Sequence, residues 1–169
     1  KINQKRKIEL IDLNILFEKK LDFSEEEIKS YYEKNKEKFI NIYKSINYIK
    51  LTPKNLSGSE DYNNLFFERI DEIDDLIVDG SNLNFIKNKY NLDALNSFTT
   101  DKSGLDKNLK KDDNLSNKLI NKVFNIDENE PTTLVELNNQ FFIIEVVKTE
   151  NIQKKISDVS VKKEIILNL

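Results

Sequence analysis

The run EDYNNLFFERIDEIDDLIVDG, residues 60–80, narrows the choice of fold more than any other part of this chain. Leu65, Phe66, Ile70, Ile73, Leu76 and Ile77 recur at helical spacing, while Asp71, Glu72, Asp74 and Asp75 fall on the opposite, wet face. Gly80 is a good C-terminal stop. A one-sided helix must bury its stripe against something. Phe66, Ile70, Ile73 and Ile77 are therefore predicted to form a seam between this helix and a sheet.

The sheet is supplied from both sides of that helix. Before it, SEEEIKSYYEKNKEKF reads as a surface helix over about 25–38. Ser24 is placed to cap it and Glu27 to close a capping box, with Ile28, Tyr31 and Tyr32 on one face. YKSINYIKL then turns to β-branched and aromatic residues and predicts a strand at about 43–52, ended by Pro53. NLSGSED reads as a loop. After the long helix come a shorter one in SNLNFIKNKYNL, a short strand in DALNSFTT and a polar loop, DKSGLDKNLKKDDN. A short helix in LSNKLINKVF and a turn at DENE follow. TTLVELNNQFFIIEVVKTE reads as a hairpin, because Asn138–Asn139 separate two β-rich runs and Asn tolerates positive φ. The tail from about residue 155 reads as an amphipathic helix, and KRKIELIDLN, residues 5–14, as a further strand. That strand and residues 43–52 are alike; a small duplication and a shared alternating habit both remain open. Helices over one small, largely antiparallel, four-stranded sheet make the class α+β. The expected division is an N-terminal strand–helix extension over 1–42, a sheet domain over 43–150 and a C-terminal helix over 151–169.

Composition removes whole classes of chemistry. The 169 residues include no Cys, His, Met or Trp. Thiol catalysis, thiolate metal sites and Ser–His–Asp arrangements are impossible in this chain. Neither a metal nor a cofactor is expected. The 27 basic residues are scattered among 30 acidic ones for a net charge of −3, which does not make the basic face that nucleic acid requires. No apolar run approaches the roughly 20 residues of a membrane span, and none reads as a signal peptide. The chain begins at Lys1 and reads as a soluble piece of something longer, with a lost leader or anchor left open. Ser160 and Lys163 have the spacing of Ser–Lys hydrolases, but chance explains it in a lysine-rich chain. The acid-rich loops do not fit EF-hand spacing and read as solvated turns.

The ordered series resembles the parvulin-type domain of the SurA/PpiD family of periplasmic folding factors. Four segments carry the resemblance: SEEEIKSYYEKNKEKF running into INYIKL; FFERIDEIDDLIVDGSNLNFIKNKYNL; KLINKVFNIDENEPTTLVELNNQFFIIEVVKTE; and the tail after Ile156. The acidic long helix and the weak strand in the middle of the chain favour the PpiD type. The resemblance implies a prolyl-isomerase fold. In active members of that family, one His stands on the first strand, a second on the last, a Cys or Asp lies between them, and Met and Phe receive the proline ring. Here Tyr48 occupies the first His position, Phe142 the second, and ALNSF replaces the family's G-D-L-G turn. No catalytic residue is assigned. The polar ring becomes an aromatic patch, and Tyr48, Phe98, Phe124 and Phe142 are the candidate peptide-binding residues. They stand equally as ordinary sheet and core residues.

The expectation is a non-catalytic, parvulin-like chaperone domain of a periplasmic protein anchored in the inner membrane. Its partners would be unfolded or extended polypeptides, such as outer-membrane or secreted proteins. It would make no contact with nucleic acid, and none with the membrane through this part of the chain. A homo-oligomer is left open. Two rivals stand beside it: a weak isomerase relying on desolvation and Tyr48, and a purely structural or dimerisation module.

Overall fold

Residues 23–112 and 115–169 are described by the computed structural model. The strand expected at residues 5–14, and with it the duplication, lies outside them. Six helices and four strands are named here in chain order: α1 (Glu25–Lys34), β1 (Ile40–Leu51), α2 (Pro53–Ser57), α3 (Asn64–Val78), α4 (Leu83–Tyr90), β2 (Asn96–Asp101), α5 (Asn117–Phe124), β3 (Thr132–Leu137), β4 (Gln140–Gln153) and α6 (Val159–Asn168). They fall into two compact units, one of residues 40–153 and one of the flanking residues.

The flanking unit shows how local chemistry fixes an element. Ser24 Oγ accepts from Glu27 N–H at 3.2 Å, and Glu27 Oε2 accepts from Ser24 N–H at 2.9 Å, closing the predicted capping box. The helix stops at Lys34, earlier than its pattern suggests, and continues as a single 3₁₀ turn, Lys36–Lys38. Asn35 marks the break: its side-chain amide donates to Tyr31 O at 2.8 Å and its backbone N–H to Tyr32 O. Tyr32 and Phe39 stack at 5.5 Å and are buried with Val161 and Ile165 of α6. The Tyr32 hydroxyl donates to Lys154 O at 2.6 Å.

The larger unit is the expected α+β arrangement. Its sheet runs β2-β1-β4-β3, and all three pairings are antiparallel. Asn138 and Asn139 take φ of 52° and 58° in the β3–β4 turn, as a two-residue hairpin loop requires. β1 starts at Ile40 rather than near residue 43, because its N-terminal residues find partners on β4 out to Gln153. A bulge between Ser45 and Ile46 leaves Val147 unpaired in the β1–β4 register.

One correction concerns Pro53, which opens α2 as well as ending β1. Thr52 and Asn55 form a capping box, with Pro at the first helical turn, where its missing N–H costs nothing. The strand with the weak sequence, β2, sits at an edge.

The seam predicted for α3 is present. Phe66, Ile70 and Ile73 are buried, Ile77 is partly buried, and they pack with Leu83 and Ile86 of α4 on Ile49, Leu51, Phe141 and Ile143 of the sheet. Each such side chain withdrawn from water contributes about 1.5–3 kcal/mol before the entropy of ordering it. Among the described residues the opposite face is covered by α5 and its flanks, with Leu115 before the helix and Ile126 after it. Leu119, Ile120 and Val123 lie against Ile46, Tyr48, Val135, Phe142, Ile144 and Val146.

Candidate functional site

The four aromatic candidates all join the layer beneath α5. Strand alternation places them there: Ile46 pairs with Phe98, Tyr48 with Ile144 and Phe142 with Lys50, which brings Phe98, Tyr48 and Phe142 to one face. Phe124 comes down from the last turn of α5. Tyr48 and Phe142 are 4% and 5% exposed, whereas Phe98 and Phe124 are half-buried. The structure thus gathers all four, but α5 covers Tyr48 and Phe142. A shallow hollow of about 480 Å³ opens beside Phe98, lined also by Ser45, Ile46, Ser97 and Val147, and it does not reach Tyr48 or Phe142.

Polar groups around this layer are tied down. The Tyr48 hydroxyl donates to Asp112 Oδ2 at 3.2 Å, the long end for such a bond. Burial first, then the Asp112 charge and this hydrogen bond, push the Tyr48 phenol up to about 12. It is neutral at physiological pH and acts only as a donor already in use. Lys44, on the same face and 6% exposed, donates from Nζ to Val123 O at 3.3 Å and Ile126 O at 3.1 Å. Its ammonium also lies 5.8 Å from the centre of the Phe124 ring. Lys44 therefore serves the carbonyls at the C-terminal end of α5, where the helix dipole favours a cation. At the other end Ser116 Oγ accepts from Leu119 N–H at 3.3 Å.

The loop after β2 braces the same helix. Gly104 adopts φ +87°, and a Cβ there would stand 2.7 Å from Ile120 Cδ1. The positive φ favours glycine, and any side chain there would also press on the tip of Ile120. Asp101 Oδ1 accepts from Ser103 Oγ at 2.6 Å, Ser103 N–H at 2.8 Å and Leu105 N–H at 3.1 Å. Burial opposes ionisation of Asp101, but these bonds together with one from Asn41 outweigh it and hold the carboxyl below its ordinary range.

The wide opening lies elsewhere, along the free edge of β3. A groove of about 820 Å³ runs between the C-terminal end of α3, the α5–β3 turn and β3 itself. Asp74, Ile77, Asp127, Leu134 and Glu136 are among its walls. In the two-residue hairpin, Leu137 pairs with Gln140, Val135 with Phe142 and Thr133 with Ile144, and Val146 N–H donates to Pro131 O at 2.9 Å. This parity turns the backbone N–H and C=O of Thr132, Leu134 and Glu136 away from β4, toward the groove. Among the described residues no backbone group pairs with them.

No group of three or more carboxylates is placed to hold a metal ion among the described residues. Ser160 and Lys163 are both exposed on α6. Neither the Lys44 cap nor the β3 groove was read from the sequence. Lys44 carried a signal: it shares the inward alternation of Ile46 and Tyr48. The groove carried none, since it depends on how the 125–131 turn packs.

No protein-family model matches the chain, and no curated protein matches it. A solved structure is similar to it: a chain from the Campylobacter jejuni pair comprising the virulence factor PEB4 and the periplasmic protein Cj1289, described as structurally related SurA-like chaperones. The identity is 17%, the TM-score is 0.35, and the match covers 92% of this chain and 59% of that one, so this chain spans less than two thirds of its neighbour's length.

Proposed function

We propose that this chain is a non-isomerising, parvulin-like chaperone domain of the SurA/PpiD type that binds unfolded or extended polypeptides. The parent protein works in the periplasm and is anchored in the inner membrane. One observation carries the reading: positions 48 and 142 hold aromatic side chains sealed beneath α5, and the hydroxyl of Tyr48 is engaged by Asp112. Rotating an X–Pro amide, with its barrier of about 18–20 kcal/mol, requires a cleft that desolvates the proline and meets the twisted amide with hydrogen bonds. Aromatics packed into a helix–sheet core supply neither. What remains for a client is apolar surface and an open strand edge.

The test pairs two assays on the same protein. Isomerisation of a proline tetrapeptide is expected to proceed at the uncatalysed rate, and aggregation of a denatured client is expected to be suppressed. Catalysis within about tenfold of an ordinary parvulin, a gap of only about 1.4 kcal/mol in transition-state stabilisation, sinks the non-catalytic reading. Failure to suppress aggregation sinks the chaperone reading and leaves a structural module.

A further inference from the structure

We infer that the β3 edge is the client site, taking one extended segment as an added strand and preferring segments in which apolar residues alternate with Lys or Arg. This rests on the polypeptide-binding reading above and specifies where and by what chemistry it operates.

Three independent features converge on that edge. First, Thr132, Leu134 and Glu136 turn their N–H and C=O groups outward in strand register, with only a long 3.4 Å bond from Thr133 Oγ1 to Leu134 O among them. Such groups are the template that β-augmentation uses, giving affinity that does not depend on sequence. Second, the edge lies in a groove of about 820 Å³ and not on a convex surface. An added strand there has walls on both sides, α3 on one and the α5–β3 turn on the other. Its alternating side chains meet Ile77 and Asp74 on the first wall and Ile126 and Asp127 on the second. Third, the lining is charged in one sense: Asp74, Asp127, Glu130, Glu136 and Glu145 against Lys122 alone.

The charge decides the occupant. A second copy of this chain pairing through the same edge would bring two acidic rims together, and like charges across strands are destabilising. An acidic client meets the same repulsion. A segment with interleaved apolar and basic residues satisfies the apolar floor at Leu134 and the rim together, with the acids also raising its rate of encounter. Glu145 is partly committed to the fold, accepting from Thr132 Oγ1 at 3.3 Å. Glu136 is exposed and is the natural point of contact.

Two peptides serve as probes, one alternating Val with Lys and one alternating Val with Glu, alongside reduced and carboxamidomethylated lysozyme, a basic and permanently unfolded client. Fluorescence anisotropy with wild type should show the lysine peptide binding at least about tenfold more tightly than the glutamate peptide, with the preference shrinking as salt rises from about 0.05 to about 0.5 M. Amide shifts should centre on residues 132–136. Glu136→Pro removes an outward donor, on the solvent side where an edge strand tolerates proline, and should weaken both the peptide and the unfolded client about tenfold or more. Glu136→Lys keeps the edge intact and should shrink the preference for the lysine peptide several-fold, which guards against misreading a folding defect in the proline variant. If wild type binds the unfolded client and both variants bind it equally well, the site lies elsewhere and this inference falls while the chaperone reading stands. If wild type binds neither client nor peptide, the reading beneath it falls as well.

Discussion

On one face of the sheet, α3 and α4 press Phe66, Ile70, Ile73, Leu83 and Ile86 against Ile49, Leu51 and Ile143. On the other, α5, with eight residues, sets Leu119, Ile120 and Val123 against Ile46, Tyr48, Phe142 and Ile144. Both layers are well buried. They differ in what holds the cover in place. The α3 layer is apolar at its centre, and its helix is long enough to be anchored by its own stripe. The short α5 is held also by polar fastenings at its margins: the Lys44 ammonium on its last carbonyls, Ser116 on its first turn and the Asp101–Leu105 loop at Gly104. The first face is expected to carry the larger share of the stability. The second carries apolar and aromatic groups at its centre and polar ones at its margins.

The largest expected effect tests that division directly. Ile73→Ala and Leu119→Ala both delete a side chain at most 1% exposed, and such truncations cost about 2–5 kcal/mol. Ile73, held between a long helix and the sheet, should fall near the top of that range, because neighbours fixed on several sides cannot close the cavity. Leu119 should fall near the bottom, because α5 is short and can settle toward the sheet. Urea unfolding of the two variants measures this. Equal costs would show that the two layers are equally rigid.

The same contrast explains what could be read from the sequence. The capping box at Ser24 and Glu27, the α3 stripe and the Asn138–Asn139 turn depend on residues within one or two turns of each other, so their patterns were legible. Pro53 reads in sequence as a terminator, yet it also starts α2, because the outcome turns on Thr52 and Asn55 closing a box around it. The grouping of Tyr48, Phe98, Phe124 and Phe142 came with the parvulin resemblance, and strand alternation is what brings Tyr48, Phe98 and Phe142 to one face. Their burial did not follow, because it depends on α5 folding back over them from more than sixty residues beyond Tyr48. Lys44 is the sharpest case: a lysine in a strand is usually solvated, and only the arrival of two carbonyls at its ammonium makes it part of the layer.

Lys44→Met sharpens the comparison at an intermediate scale. The methionine keeps most of the apolar stem and loses the ammonium, leaving Val123 O and Ile126 O without that donor. Loss of a partner to such groups costs about 1–3 kcal/mol. Hydrogen exchange should show faster opening confined to α5, with α3 protected as before. A cost below about 0.5 kcal/mol, typical of surface changes, would mean that water replaces the ammonium and that α5 is held by its apolar side chains alone.

The smallest effect concerns the phenol of Tyr48. Tyr48→Phe removes one long hydrogen bond to Asp112 and no packing, so the net loss should be about 0.5–1.5 kcal/mol. Its pH dependence is more telling than its size. In the folded protein the phenol is raised from an ordinary 10.0 to about 12, through burial first and then Asp112. The fold therefore holds this proton more tightly than the unfolded chain does. The resulting stability is complete below about pH 10 and is lost as the pH climbs toward 12. Tyr90, on the opposite side and also raised to about 12 by burial and by its bond to Glu72, supplies an internal control. Ultraviolet titration of the phenolates should show that Tyr48→Phe removes one late-ionising group and leaves that of Tyr90. If Tyr48 instead ionises at its ordinary value, α5 does not seal the site. Water would then reach the hydroxyl, and the cleft that the aromatic residues close in this structure would be open enough to receive a peptide.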